Sequence, residues 1–382
     1  MDHITFIVAL VIVTALAFDF TNGFHDTANA MATSIATGAL RPKVAVLISG
    51  VLNLAGAFLS TEVAKTISGG IVDDAVVTPG MIFAGLVGAI LWNLATWLVG
   101  LPSSSTHALF GGLIGAVWVG AGREGVNFDK VVEKILIPAV ASPIVAGLAA
   151  IGATYLAYRF TQRAPKDTVT KGFRSGQLAS ASLVSLAHGT NDAQKTMGII
   201  TLALISCGAL GKNAGPPLWV ILTSGLAIAT GTYLGGWRII RTMGKGIVDI
   251  QSPQGFAAES AATSVILTSA KLGFPLSTTQ VCAGGILGAG VGRRLAEVRW
   301  GTAGRMALAW LVTLPAAAAV GALAAGGVVH GGTLGTVLIA LAALAVALVI
   351  VVLSRRHPVD AENVNNTPDA TPTEPERAGA GT

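Results

Sequence analysis

The sequence predicts an all-α polytopic membrane protein built from two inverted-topology repeats with interrupted helices. Three observations predict it: a composition too apolar for water, a succession of long apolar stretches, and motifs that recur in the same order in both halves. Of 382 residues, 52% are hydrophobic, only 11% are charged and 48 are Gly. A soluble domain carries about 25% charged residues to cover its surface, so a cytosolic enzyme is excluded. Two cysteines, Cys207 and Cys282, cannot make a disulfide scaffold. The formal net charge of +5 sits mostly in loops, which argues against nucleic-acid binding.

A spanning helix needs about 20 mostly apolar residues. Such stretches lie near 3–22, 44–60, 79–99, 103–121, 135–158, 177–206, 216–236, 256–272, 274–292, 306–326 and 335–353. The first is not a signal peptide, because Asp2 precedes it and no Lys or Arg does. Gly, Pro and polar clusters interrupt several stretches, so eleven segments need not be eleven simple spans. With the N-terminus outside, 17 of the 24 Lys and Arg residues fall in inner loops or the tail. That bias predicts a multi-pass plasma-membrane protein with its N-terminus outside and its C-terminus cytoplasmic. Composition divides the chain into a membrane repeat at 1–158, a cytoplasmic loop at 159–176, a second membrane repeat at 177–353 and a tail at 354–382. The tail's Pro, Thr, Asn and Glu cannot build a core, which predicts disorder.

The repeat is visible directly. Residues 100–116 (GLPSSSTHALFGGLIGA) align without gaps to 273–289 (GFPLSTTQVCAGGILGA), with eight of 17 positions identical. GFHDTANAM (23–31) pairs with GTNDAQKTM (189–197), and KTISGGI (65–71) with RTMGKGI (241–247). The first half holds an odd number of segments, so the second enters the membrane upside down. Inverted repeats with broken helices at matching positions are the architecture of secondary transporters.

Asp19, Asn22, Asp26, Asn29 and Thr33 are spaced three or four apart, which puts all five on one helix face. Their counterparts are Ser185, His188, Asp192 and Lys195. Carboxylates inside a bilayer are costly and line cavities or pathways; the alternative is that Asp26 and Asp192 cap broken helices or pair with Lys195. Converging carboxylate, amide and hydroxyl oxygens suit a hard cation or a proton. Pro102–His107 and Pro275–Gln280 each place Ser and Thr behind a proline, which starts a helix and leaves N–H donors open to an oxyanion. Back-bonding of those hydroxyls within a helix is the competing reading. Gly111/Gly115 and Gly284/Gly288 are small-xxx-small pairs for close helix packing. Glu259 is buried or lines the pathway, the alternative being a pair with Arg238 or Arg241. His25, His107 and His188 lie in or beside the repeated motifs and make a proton-linked cycle plausible. No Cys/His set of zinc type is present, so no structural metal is expected.

GFHDTANA with AHGTNDAQKTMG, PSSSTH with PLSTTQ, and GGWRIIRTMG followed by GFAAE resemble the inorganic phosphate transporter (PiT) family, in particular its bacterial low-affinity permeases. The resemblance runs from about residue 10 to 325 in the family's order. It implies that 79–121 and 256–292 contain re-entrant hairpins with the Ser-Thr runs at their tips. It also implies import of phosphate, free or as a neutral metal–phosphate complex, by symport with sodium or protons, and a homodimer. On it, Ser104, Ser105, Thr106, Ser277, Thr278 and Thr279 hold phosphate, and Asp26, Asn29, Asn191 and Asp192 serve the coupling cation. Gln194 and Lys195 match the second signature, and His25, His107, Glu259 and Gln280 are secondary candidates. Two departures favour protons over sodium: His25 replaces the usual Asn, and Asn53 stands where sodium-coupled relatives have Glu. No cofactor is implied. A sulfate transporter on the same fold is the nearest competitor. An intramembrane enzyme using His107 or His188 with a serine would predict one catalytic half and a decayed second one, which the paired motifs contradict.

Overall fold

The computed structural model describes residues 2–73, 75–293 and 298–366, and among them every long element is helical. In chain order these are α1 (Asp2–Ala36), α2 (Pro42–Gly56), α3 (Glu62–Ser68), α4 (Pro79–Leu98), α5 (Ser105–Ala121) and α6 (Phe128–Thr161). The second half holds α7 (Lys166–Ser206), α8 (Leu218–Leu234), α9 (Trp237–Gly246), α10 (Ser252–Lys271), α11 (Thr278–Arg293) and α12 (Trp300–Ser354). Prolines start helices where the sequence places them: Pro42 opens α2, Pro79 opens α4 and Pro253 lies in the first turn of α10.

The two halves take the same local form at matching positions. Gly100 and Gly273, with φ of +66° and +72°, turn the chain out of α4 and α10. Ser104 then caps α5 by accepting from the His107 amide at 3.1 Å, and Ser277 accepts from the Gln280 amide at 3.3 Å. The result is a pair of helical hairpins, α4–α5 and α10–α11. Each packs on a helix with an internal proline, α5 on α12 (Pro315) and α11 on α6 (Pro143). At Gly115 an added Cβ would lie 2.0 Å from the Ala318 carbonyl oxygen, and at Gly288 it would lie 2.1 Å from that of Gly147. Only glycine permits either approach.

Four described helices are long and apolar enough to cross a membrane, or five if α8 and α9, bent by 63°, form one span. The other apolar stretches fall short for a physical reason. α5 and α11 are 17 and 16 residues long, and α7 and α10 carry the polar side chains that face inward. The stretches 306–326 and 335–353 join into α12 across a kink at Gly332.

Two expectations need correction. The segment 159–176 is not a loop, because α6 continues to Thr161 and α7 begins at Lys166. Asp167 favours the α7 N-terminus, Phe173 packs edge-on against Phe256, and Arg174 donates to the Thr37 carbonyl at 3.1 Å. The described part of the tail, up to residue 366, is docked rather than disordered. Val364 is buried, Arg241 donates to the Asn363 carbonyl and side chain at 3.0 and 2.6 Å, and Asn365 donates to the Ile35 carbonyl. Residues 367–382 lie outside the described residues.

Candidate functional site

α1 and α7 run through their polar motifs without a break, so each presents its stripe of Asp and Asn toward the hairpin tips. Ser105 Oγ donates to Asp26 Oδ2 at 3.1 Å, and Thr279 Oγ1, from the other hairpin, donates to Asp26 Oδ1 at 3.2 Å. Thr278 Oγ1 donates to Asp192 Oδ2 at 3.1 Å. Asn29 Nδ2 bridges the second tip, donating to Thr278 and Thr279 at 3.2 and 3.1 Å. The tips also touch directly, since Thr106 Oγ1 donates to the Leu276 carbonyl at 2.9 Å. All these side chains are buried. The first-turn amides of α5 and α11 without intrahelical acceptors therefore converge beside two carboxylates.

Histidines flank both carboxylates. His25 Nδ1 lies 2.6 Å from Asp26 Oδ1, and its Nε2 faces Ser103 and Thr96 at 3.3 and 3.4 Å. Around His188 the network assigns the tautomer. Asn53 Nδ2 donates to Thr232 Oγ1 at 2.8 Å, so its carbonyl oxygen faces His188 Nδ1 at 3.1 Å, which carries the proton. His188 Nε2 is left 3.3 Å from Asp192 Oδ2 without a hydrogen bond. Asp26, His188 and Asp192 can each offer one ligand atom with all three atoms within 4.8 Å of one another. Two carboxylates and an imidazole lone pair are a donor set that accepts divalent cations.

The other predicted residues divide. Lys195 Nζ donates to Asp192 Oδ1 at 2.8 Å, so that pair forms as one reading expected. Asn191 Nδ2 reaches the Phe274 carbonyl at 3.3 Å in the α10–α11 turn, and its Oδ1 is unpartnered. His107 Nδ1 and Gln280 Oε1, at matching positions, are buried and unpartnered. The Ser104 and Ser277 hydroxyls are occupied by capping. Gln194 turns away, its Oε1 accepting from the Val63 and Ala64 amides at the start of α3. Glu259 forms a separate buried cluster with Thr33 and Ser34 (2.5 and 2.6 Å), Gln177 (3.2 Å) and Ser180. Sequence reasoning missed Thr96 and Thr232, whose one available signal was a hydroxyl inside an otherwise apolar segment, and gave Ser103, within the PSSSTH motif, no role of its own.

Comparison with known proteins shows what the chain is similar to. A model described as "Phosphate transporter family" matches residues 22–321. A "Probable low-affinity inorganic phosphate transporter" of Mycobacterium bovis is 58% identical, over 94% of this chain and 87% of its own. Proteins of the same name from Rhizobium meliloti and Bacillus subtilis are 45% and 42% identical, over 82% and 85% of this chain and 93% and 98% of theirs. The solved structure of "The sodium-dependent phosphate transporter" superposes with a TM-score of 0.69 at 24% identity, covering 83% of this chain and 97% of that one. That likeness concerns the fold.

Proposed function

The chain belongs to the phosphate transporter family, and from that premise we propose that it imports inorganic phosphate by symport with protons or sodium. The observation that carries the reading is the meeting of the two Ser-Thr tips between Asp26 and Asp192. Phosphate is held by the first-turn amides and by Ser104, Ser105, Thr106, Ser277, Thr278 and Thr279. The amides and helix dipoles supply the attraction, and the hydroxyls of Ser105, Thr278 and Thr279 reorient from the carboxylates to the anion.

Asp26, Asn29, Asn191 and Asp192 hold the coupling cation. A cation is required because moving an anion against an inside-negative potential costs about 2.3 kcal/mol per charge per 100 mV. His25 bonded to Asp26, and the amide Asn53 beside His188, support protons as the driving ion. The grouping of Asp26, His188 and Asp192 supports a second form of the substrate, a neutral divalent metal–phosphate complex. Access alternates as the two inverted halves, 1–158 and 177–353, rock about the site, in a homodimer with the N-terminus outside. In this orientation the docked segment up to residue 366 is cytoplasmic.

The test is radiolabelled phosphate uptake into proteoliposomes under an imposed proton gradient or an imposed sodium gradient, each challenged with excess sulfate. Proton-driven uptake indifferent to sulfate is the expected result. Uptake that requires sodium overturns the choice of ion and keeps the substrate. Strong competition by sulfate with little phosphate accumulated overturns the substrate.

A further inference from the structure

We propose that the adjoining C-terminal ends of α6 and α11 form a binding site for the headgroup of an anionic phospholipid, held by Arg159 and Arg293. Backbone contact brings the two helices together there. An added Cβ at Gly288 would lie 2.1 Å from the Gly147 carbonyl oxygen, and one turn further on an added Cβ at Gly292 would lie 2.9 Å from that of Ile151. Just past this contact both helices end, and a cavity of about 310 Å3 opens between them. The described residues that line it are Tyr155, Tyr158, Arg159 and Gln162 on α6 and Gly292 and Arg293 on α11, and none of them is acidic. A tyrosine sits beside each guanidinium. Arg159 Nη1 lies 3.5 Å from the Tyr155 hydroxyl, and the Arg293 guanidinium lies over the Tyr158 ring, 5.3 Å from its centroid. Arg293 Nη1 is also 3.5 Å from Gln254 Oε1 in the first turn of α10, so this arginine stands at the base of the second hairpin.

Two forked guanidiniums beside phenol and amide donors are a set that takes a phosphate oxyanion. A cavity of this size has room for a phosphate group and its glycerol. The surface leading to it identifies the anion as a lipid. Val145, Leu148, Gly152, Tyr155 and Arg159 are spaced three or four apart and all are exposed, so they share one outward face of α6. An apolar stripe therefore runs along the helix up to the first guanidinium, with Leu156 and Phe160 exposed beside it. A soluble anion needs no such stripe, whereas an acyl chain lying on it carries its own phosphate to Arg159. In the orientation proposed above this end is cytoplasmic, with the exposed Arg163 and Lys166 just beyond. Basic pockets between helices at that level bind anionic headgroups. The bound headgroup links the last helix of the first half to the base of the hairpin that carries Thr278 and Thr279. It lies away from the Ser-Thr tips and binds whether or not phosphate is the cargo.

The test is competition for a fluorescent phosphatidylglycerol bound to the purified full-length protein in neutral detergent. Unlabelled phosphatidylglycerol should displace it about tenfold or more better than phosphatidylcholine with the same acyl chains. The double variant Arg159→Gln/Arg293→Gln should lose that preference and bring the two lipids to parity. Arg163→Gln/Lys166→Gln removes the same charge from exposed positions outside the cavity and should keep it. Equal displacement by the two lipids in the wild-type protein overturns the proposal. So does an equal loss of preference in both double variants, which is what diffuse surface charge would give. Inorganic phosphate or glycerol phosphate displacing the probe as well as phosphatidylglycerol would make the cavity a site for a soluble anion and overturns the lipid. Should the Arg159→Gln/Arg293→Gln protein fail to elute as a folded species, Arg159→Gln alone replaces it. Its preference should fall about fivefold, and a preference equal to wild type overturns the proposal.

Discussion

Asp26 is the side chain on which both hairpins converge, accepting from Ser105 on one and Thr279 on the other while His25 stands 2.6 Å away. Asp26→Asn keeps the shape and an acceptor oxygen but removes the charge to which the proposed symport assigns the balancing of a cation. Concentrative phosphate uptake should be abolished while the protein elutes as a folded species; accumulation at the wild-type level would remove Asp26 from the coupling role. His25→Asn separates proton handling from structure, since asparagine still reaches Asp26 but cannot carry a proton. Proton-driven uptake should fall at least about tenfold, while equilibrium phosphate binding changes little. Both residues are legible in the sequence, because duplication singles out Asp, Asn, Ser and Thr at matching places and His25 adjoins one of them. The directions in which such side chains point are not legible there. Gln194 finds its acceptor duty at Val63 and Ala64, and Glu259 finds its donors on α1 and α7. Partners far apart in the chain depend on helix rotation, which no local spacing records.

The hairpin helices are short, and their precision comes from what they lean on. α11 meets α6 at Gly284 and Gly288, and α5 meets α12 at Gly111 and Gly115. Helices in a bilayer gain little from hydrophobicity against one another, so close backbone contact at small residues supplies the packing. Gly288→Ala drives a methyl to 2.1 Å from the Gly147 carbonyl oxygen. The helices must part, at a cost of about 1–3 kcal/mol, which lowers the thermal midpoint in detergent and displaces the Thr278–Thr279 tip. Gly152→Ala is the control in the facing helix, because an added Cβ there meets nothing within 4 Å. It should be neutral or slightly stabilising, and equal losses from the two variants would refute the packing argument. The small-xxx-small spacing is readable in the sequence, but the partner helices are not. Polarity alone hides the start of α7 at Lys166, since a charged segment forms helix readily when Phe173 and Arg174 have neighbours to bind.

At the scale of the whole molecule, the recurring motifs shape the two hairpins alike, and the tail is the piece they do not reach. The chain folds back after α12, and the segment up to residue 366 lies across α9 and the end of α1. Arg238 donates to the Ser354 and His357 carbonyls at 2.6 and 2.5 Å, and Arg241 holds Asn363. Composition points to disorder because this segment has almost no apolar side chains. It is held instead by arginine donors belonging to another element and by one buried anchor, Val364. A contact of that kind opens locally without unfolding the bundle. Arg241→Ala removes two charge-assisted hydrogen bonds at a half-buried site, weakening the dock by about 1–2 kcal/mol. Cleavage by trypsin at Arg355 and Arg356 requires that the segment open, so under mild protease the rate should rise about fivefold to thirtyfold. Val364→Asp should accelerate cleavage similarly by burying an unpaired charge, whereas the thermal midpoint of the membrane core stays within a few degrees in both variants. Unchanged cleavage in both would mean that Arg241 and Val364 do not hold the segment, and a collapse of the midpoint would mean that docking and core stability cannot be separated.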